Sequence, residues 1–573
     1  MTERLSAGRT VHFDFEGQPI ECADGMTLAA ALTAAGEYRV RNSDDGQGRG
    51  IFCGMGVCQE CRLVVDGQSG VRACMTRATK SMRVERQSAQ ARVSSAEKPS
   101  LADEDLPVEM PELLVIGSGP AGLSAAATAA EQGIDVLLLD ERVKAGGQYF
   151  KQPYAPDGTA PSLVGDPQIA AGRALIERAR RAGVTMRSGV AVWGAFAPRE
   201  FAVFDGTGSK LYQPGRAIIA AGAYERGLPL PGWTLPGVMT TGAAQTLLRS
   251  YSVLPGKRVL VAGNGPLNMQ VALELQRAGA DLVAVLELAP RPGLSQFPAA
   301  VRMALNAPGI TRQGWQILKD LRALNVPVIH GHGLVSIGKS DGGLQVLVGK
   351  VGDAGIAGDR SFDVDVVCMG YGFQPNNEIL RSLGCAHTWD AARGSLVTTR
   401  DADCATSVSG IYAIGDCCGL GGAHAAREEG IIAATAVVRS LGGELSPDLV
   451  REEQRARRRL RRHRAFQAAL WQLFGARQYM AELALPDTEV CRCENVSRAQ
   501  IEGVLREGNV SLAALKRRTR LGMGPCQGRY CAPVAAAMIA GYNDATPDEF
   551  SLFAPRVPFK PVRVTDIVTP SSR

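Results

Sequence analysis

The sequence predicts an α/β protein in which two dinucleotide-binding units are flanked by a small domain at either end. Three patterns predict it. Residues 115–122 read VIGSGPAG between two apolar strands, and Lys257 opens a second run of that kind, KRVLVAGNGPLNMQ. Outside this pair lie two cysteine quartets. Cys53, Cys58, Cys61 and Cys74 are spaced C-x4-C-x2-C-x12-C; Cys491, Cys493, Cys526 and Cys531 are spaced C-x-C-x32-C-x4-C. Four thiolates complete a [2Fe–2S] cluster, and the first spacing opens in the plant-type way.

The flanking units come first. Residues 1–88 hold VHFDFEGQPIEC, a strand pair about a turn, then the helix MTLAAALTAAG, a glycine-rich loop with three cysteines, and the strand CRLVVDG. Gly54 and Gly56 keep that loop small, so backbone N–H groups can approach the sulfurs. Residues 89–110 are polar and read as a linker. Residues 486–545 pattern as a cysteine pair, two helices, a glycine-rich loop with the second pair, and a third helix. Zinc is the alternative for this quartet, because four cysteines also build structural zinc sites.

Between them, residues 111–235 and 366–445 form the first dinucleotide unit. Gly117 makes the tight turn, Gly119 opens the backbone to a pyrophosphate, and Gly122 lets helix and strand close up. Asp140, or Glu141 beside it, ends the next strand where an acid can bond a ribose hydroxyl. Gly415 and Asp416 end a later strand before a helix, placed to hold a ribityl chain with the helix N-terminus facing a phosphate. In residues 236–365, Gly263 and Gly265 fill the first two glycine positions of the second unit and Glu287 ends its strand. Asn268 stands in the third position, where its side chain is expected to crowd the helix against the strand, so nicotinamide binding there is doubtful. Residues 446–485 are a basic helical connector, and residues 546–573 an extended tail.

Composition narrows the function. The 63 basic and 57 acidic residues leave +6, too mild for a nucleic-acid-binding surface. The one dense basic run, residues 451–464, reads as a solvated helix face or a dock for an acidic partner. No run approaches the roughly 18 apolar residues of a membrane-spanning helix, and the first residues lack a signal peptide. A cytoplasmic setting follows, with membrane contact limited to a peripheral one through an electron acceptor. There, fourteen cysteines are metal ligands or buried thiols rather than disulfides; Cys417 and Cys418 read as inert. No acid–base constellation stands out among the six histidines. His424 reads as a helix-terminal contact to backbone or phosphate.

The stretch AAGAYERGLPLPGWTLPGVMTTGAAQ, residues 220–245, carries a resemblance. With the motifs above it is similar to the α subunits of hydrogen cyanide synthase, octopine and nopaline oxidases, D-hydroxyproline dehydrogenase and heterotetrameric sarcosine oxidase. The resemblance implies a glutathione-reductase-like flavoprotein core with a fused N-terminal β-grasp ferredoxin-like domain. The C-terminal helical unit resembles the bacterioferritin-associated ferredoxin. It further implies FAD, held also by the loop of Gly147 and Gln148, two [2Fe–2S] clusters, and an FMN at a subunit interface. A D-amino-acid-oxidase-like β subunit would oxidise a C–N bond, and this chain would pass the electrons to an external acceptor. A self-contained NAD(P)H-dependent reductase and an assembly scaffold are the alternatives.

Overall fold

The computed structural model describes residues 10–88, 105–154, 160–197, 199–352, 355–508 and 510–572. Most of the expected linker, residues 89–104, lies outside them. Its far end is not irregular: Val108–Glu109 is a strand beside Ser209–Tyr212.

Alternation in the first unit produces a five-stranded sheet. Its order is Gln18–Ala23, Thr10–Phe15, Arg83–Arg86, Arg62–Val65, Gln68–Arg72, with the second and third strands parallel. The helix Leu28–Ala34, capped by the Thr27 hydroxyl, buries Leu28 and Leu32 against Phe13, Leu63 and Val84. This is a β-grasp unit, and Cys61 and Cys74 belong to its core.

Near-continuous apolar strands dictate the two middle sheets, since parallel strands are covered on both faces. The first sheet runs Thr185–Ser188, Val136–Asp140, Leu113–Ile116, Arg216–Ile219, Ile411–Ala413. Across it the helices Pro120–Ala130 and Gly422–Ser440 cross so closely that a Cβ on Gly430 would lie 2.5 Å from the Ala121 carbonyl oxygen. The second sheet runs Val238–Thr240, Val366–Gly370, Arg258–Gly263, Asp281–Glu287, Val328–His330. The return to the first unit, expected at residue 366, therefore comes later: Val366–Gly370 is needed between two strands of the second sheet.

The basic run lies in the helix Pro447–Leu473, capped by Ser446. Its face is only partly solvated, because Arg457, Arg459 and Arg464 pair with Asp403, Glu428 and Glu429 of the first unit. Arg458, Arg461 and Arg462 stay exposed. Its C-terminal half buries Phe466 and Ala469 against Ala299 and Met303 of the helix Phe297–Asn306. The opposite side of that helix leaves Phe297 and Leu305 67% and 72% exposed, beside Leu294 at 94%.

The C-terminal unit carries the helices Arg498–Leu505, Leu512–Thr519 and Ala532–Tyr542. Beyond it the tail is not simply extended. It buries Phe559 in the core of the first dinucleotide unit, turns one short helix at Val564–Val568, and hydrogen-bonds to Ser209 on both sides. Among the described residues no helix is long and apolar enough to cross a membrane.

Candidate cofactor sites and the contact between them

Positive φ at Gly54, Gly56 and Gln59 curls the first cysteine loop so that N–H groups face sulfur. Met55 and Cys58 N–H point at Cys53 Sγ at 3.5 and 3.3 Å; Glu60 N–H lies 3.4 Å from Cys58 Sγ, and Cys74 N–H 3.4 Å from Cys61 Sγ. Such donors stabilise thiolate and tune a bound cluster. Burial pushes the Cys53 thiol up, but hydrogen bonds from Cys58 and from the Met55 and Val57 backbone outweigh it and bring it down to about 6.

The second quartet sits where residues 491–493 face the loop 524–531. Cys493 and Cys526 sulfurs are 3.4 Å apart, and Cys491 touches both Cys493 and Cys531. A Cβ on Gly524 would come within 2.8 Å of the Cys493 sulfur, so a glycine is required there. Among the described residues no three His, Cys, Asp or Glu side chains gather about one metal-ion position. The sulfurs of the first quartet approach in two pairs, Cys53 with Cys58 and Cys61 with Cys74, and those of the second in a chain from Cys531 through Cys491 and Cys493 to Cys526. Four cysteines at each site supply the ligand set of a two-iron cluster.

The first glycine-rich turn is shaped for a dinucleotide. Gly117 has φ +109°, and a Cβ on it would be 2.3 Å from the Ala220 carbonyl oxygen. A Cβ on Gly122 would be 1.8 Å from the Gly117 oxygen. Gly147 abuts Gly119 closely enough that its own Cβ would lie 2.7 Å from the Gly119 Cα, so the two loops share one cradle. Above it the helix Pro120–Ala130 begins with no side-chain cap, leaving N–H groups for a phosphate. Gly415, at φ +72°, lies against Ala121, and its N–H donates to Glu429. Asp416 accepts from Gly421 and Gly422 N–H at 2.9 and 2.8 Å; burial raises it.

The two strand-end acids are engaged within the chain. Asp140 accepts the Ser118 N–H and hydroxyl, both at 2.6 Å, and so closes the turn itself. Glu141 pairs with Arg72 of the β-grasp unit and Lys560 of the tail; burial raises its carboxyl, but the two cations outweigh that and hold it at about 2. His424 Nε2 lies 3.3 Å from the Tyr149 hydroxyl, and its ring stacks on His463. Burial, then His463 and Arg427, lower it to about 4, so it is neutral.

In the second unit Asn268 does not crowd the helix away. Its amide donates to the Gly370 carbonyl at 2.9 Å and accepts from the Thr241 hydroxyl at 2.9 Å. Glu287 accepts from Asn264 and from Gly265 and Ala289 N–H, while Asn264 also donates to the Phe474 carbonyl. The acid is thus spent inside the turn, and the chain leaving the basic helix passes over it. These residues fit a structural turn better than a nicotinamide site.

Sequence reasoning missed how the sites touch. A narrow cleft is lined by Cys74 and Met75 on one side and by Gly147 and Lys151 on the other. Phe52, Cys53, Cys58, Cys526 and Tyr530 share one apolar cluster. Residues 220–245 are its floor: Thr240 N–H donates to the Phe52 carbonyl, Tyr224 hydroxyl to Arg529, and Trp233 Nε1 to Glu489.

Comparison with known proteins agrees with this layout. Residues 111–430 match the Pyridine nucleotide-disulphide oxidoreductase family, residues 8–89 a 2Fe-2S iron-sulfur cluster binding domain, and residues 489–541 a BFD-like [2Fe-2S] binding domain. An opine oxidase subunit of Agrobacterium tumefaciens is 32% identical over 80% of this chain and 91% of its own. Hydrogen cyanide synthase subunit HcnB of Pseudomonas aeruginosa is 31% identical over 73% and 90%. The HcnA subunit of the same organism is 44% identical over 14% of this chain and 77% of its own. L-proline dehydrogenase from P. horikoshii has the same fold, with a TM-score of 0.70 at 20% identity and 98% coverage of both chains.

The chain therefore belongs to the pyridine nucleotide-disulphide oxidoreductase family, in the branch of HcnB and the opine oxidase subunit. It is an FAD-dependent oxidoreductase subunit with a 2Fe-2S-binding domain at each end, and it joins in one polypeptide what HcnA and HcnB divide between two.

Proposed function

We propose that this chain is the electron-relaying subunit of a hetero-oligomeric dehydrogenase or oxidase. A D-amino-acid-oxidase-like partner oxidises the C–N bond of an amine, imino acid, D-amino acid or opine. This chain carries the electrons through flavin and two [2Fe–2S] clusters to an external acceptor. The observation that carries the reading is the unbroken line of sites: one cleft joins the Gly147 loop to Cys74, and one apolar cluster joins the first quartet to the second.

Further features agree. A bound flavin accepts a hydride's two electrons and returns them singly, as a one-electron cluster requires. Gly119 and Gly147 hold the backbone open for its pyrophosphate, and the thiolates of the quartets conduct rather than make bonds. The exposed Leu294, Phe297 and Leu305 on one side of a single helical segment suit contact with a partner chain. An open pocket edged by Arg381, Lys516, Arg529 and Arg556 suits the phosphate of an FMN at such an interface. The relatives named opine oxidase point to the same bond type.

The test is an anaerobic visible spectrum of the purified chain. NADH and NADPH are expected to leave it unchanged, and dithionite to bleach it, as would an amine substrate together with the partner. Rapid bleaching of the flavin band by NADH overturns the relay in favour of a nicotinamide-driven reductase.

A further inference from the structure

The two cysteine quartets are 417 residues apart at their nearest members, Cys74 and Cys491, yet their loops interlock. Arg492, set between Cys491 and Cys493, is buried to 4% side-chain exposure. Its Nε donates to Glu60 Oε2 at 3.0 Å and its Nη1 to the Trp233 carbonyl at 2.7 Å. Glu60 stands between Cys58 and Cys61, is 1% exposed, and also pairs with Arg41. The Arg492 guanidinium lies 4.0 Å from the Phe52 ring centroid and 4.7 Å from that of Trp233. Phe52 precedes Cys53, Tyr530 precedes Cys531, and their rings meet edge-on with centroids 5.5 Å apart. Each loop therefore supplies a charged group to the other loop's surroundings, and rings in contact leave no space for a flavin between them.

Taking two charges out of water is costly, and a buried pair is weak evidence of stability alone. Charge close to a cluster, however, shifts its reduction potential directly. We propose that Arg492 and Glu60 are positioning residues that couple the two iron–sulfur sites, so that single electrons pass directly between the clusters across the Phe52–Arg492–Tyr530 contact. The step moves one electron: one cluster is oxidised by one unit and the other reduced by one, with no bond made and no proton transferred. It rests on the reading of both quartets as cluster sites.

The test is an anaerobic redox titration of the full chain followed by electron paramagnetic resonance, which needs neither partner nor substrate. Arg492→Met removes a positive charge, and both clusters are expected to become harder to reduce by about tenfold in the equilibrium, about 59 mV for one electron. Glu60→Gln is expected to shift both the other way. The double variant should return both near the wild-type values, and Arg492→Lys should keep them. Shifts confined to the cluster on the substituted loop, or none with both clusters intact, overturn the proposal. Should Arg492→Met lose its clusters, the fully reduced wild-type chain decides. Interacting spins support the proposal, and a spectrum that is the plain sum of two isolated clusters overturns it. A wild-type chain that takes up no iron overturns the reading of the quartets instead.

Discussion

The turns at residues 117–122 and 263–268 follow the same course from strand through glycines to helix, but their third positions are used in opposite ways. At Gly122 the missing Cβ lets the helix close onto the Gly117 carbonyl, and the Gly147 loop packs against Gly119 beside it. At Asn268 a side chain fills that place and uses it, tying the helix Pro266–Arg277 to the Gly370 carbonyl and to Thr241. Both turns close on a strand-end acid, the first through Ser118 on Asp140 and the second through Gly265 on Glu287, but only the second also ties its third position to its own sheet. A shared outline thus says less about cofactor binding than the hydrogen bonds left over inside it.

Gly122→Val should have the largest effect. With a backbone oxygen 1.8 Å from the new Cβ, overpacking is expected to cost about 3 kcal/mol, and the purified variant should show no flavin absorbance. If it folds and keeps its flavin, the contrast between the turns is lost.

Asn268→Ala should be milder and different in kind. It removes two buried hydrogen bonds, the one to the Gly370 carbonyl, which keeps the Asn264 N–H, and the one from the Thr241 hydroxyl, for about 2 kcal/mol in a urea titration, while flavin content stays at the wild-type level. Loss of flavin in parallel would show that the second turn also serves the cofactor.

Glu141→Gln tests the end of the first turn's second strand. Loss of its charged contacts to Arg72 and Lys560 should cost about 1.5 kcal/mol. A carboxyl held at about 2 contributes stability that is full above its ordinary 4.5 and drains away as pH falls from 4.5 toward 2. The wild-type chain should therefore lose stability across that window, and the variant should show a shallower fall.

Asn268→Gly restores the full glycine pattern to the second turn; it loses the same two hydrogen bonds as the alanine variant, and the smallest expected effect is on the response to nicotinamide. Its flavin is expected to remain unreduced by NADH, because Glu287 is still spent on Asn264 and Gly265. Bleaching by NADH would place the block at Asn268 alone.

What the sequence made legible follows from locality. Cys53, Cys58 and Cys61, the pairs Cys491–Cys493 and Cys526–Cys531, and the glycines of the first turn each fall within a few residues of one another, so spacing indicates them. Asn268 was legible as a departure but not as a pair of hydrogen bonds, because Gly370 lies 102 positions away. The late return of the chain after Gly370 was hidden for the same reason: Val366–Gly370 is apolar enough for either sheet, and only pairing assigns it. The basic run reads as solvated because Asp403, Glu428 and Glu429, its partners, come earlier in the chain. Glu60 and Arg492, 432 positions apart, carry no signal that either would find the other.

One contact changes how the electrons should be counted in time. Arg49, 1% exposed, holds Glu489 at 2.7 Å, so the β-grasp unit is clamped to the base of the C-terminal unit and not merely strung beside it. A ferredoxin that diffuses must collide with its acceptor, and its delivery slows as the solution is diluted. A clamped one meets its acceptor at a fixed effective concentration. Transfer within this chain should therefore be first order, with one rate constant from dilute solution to the crowded cell.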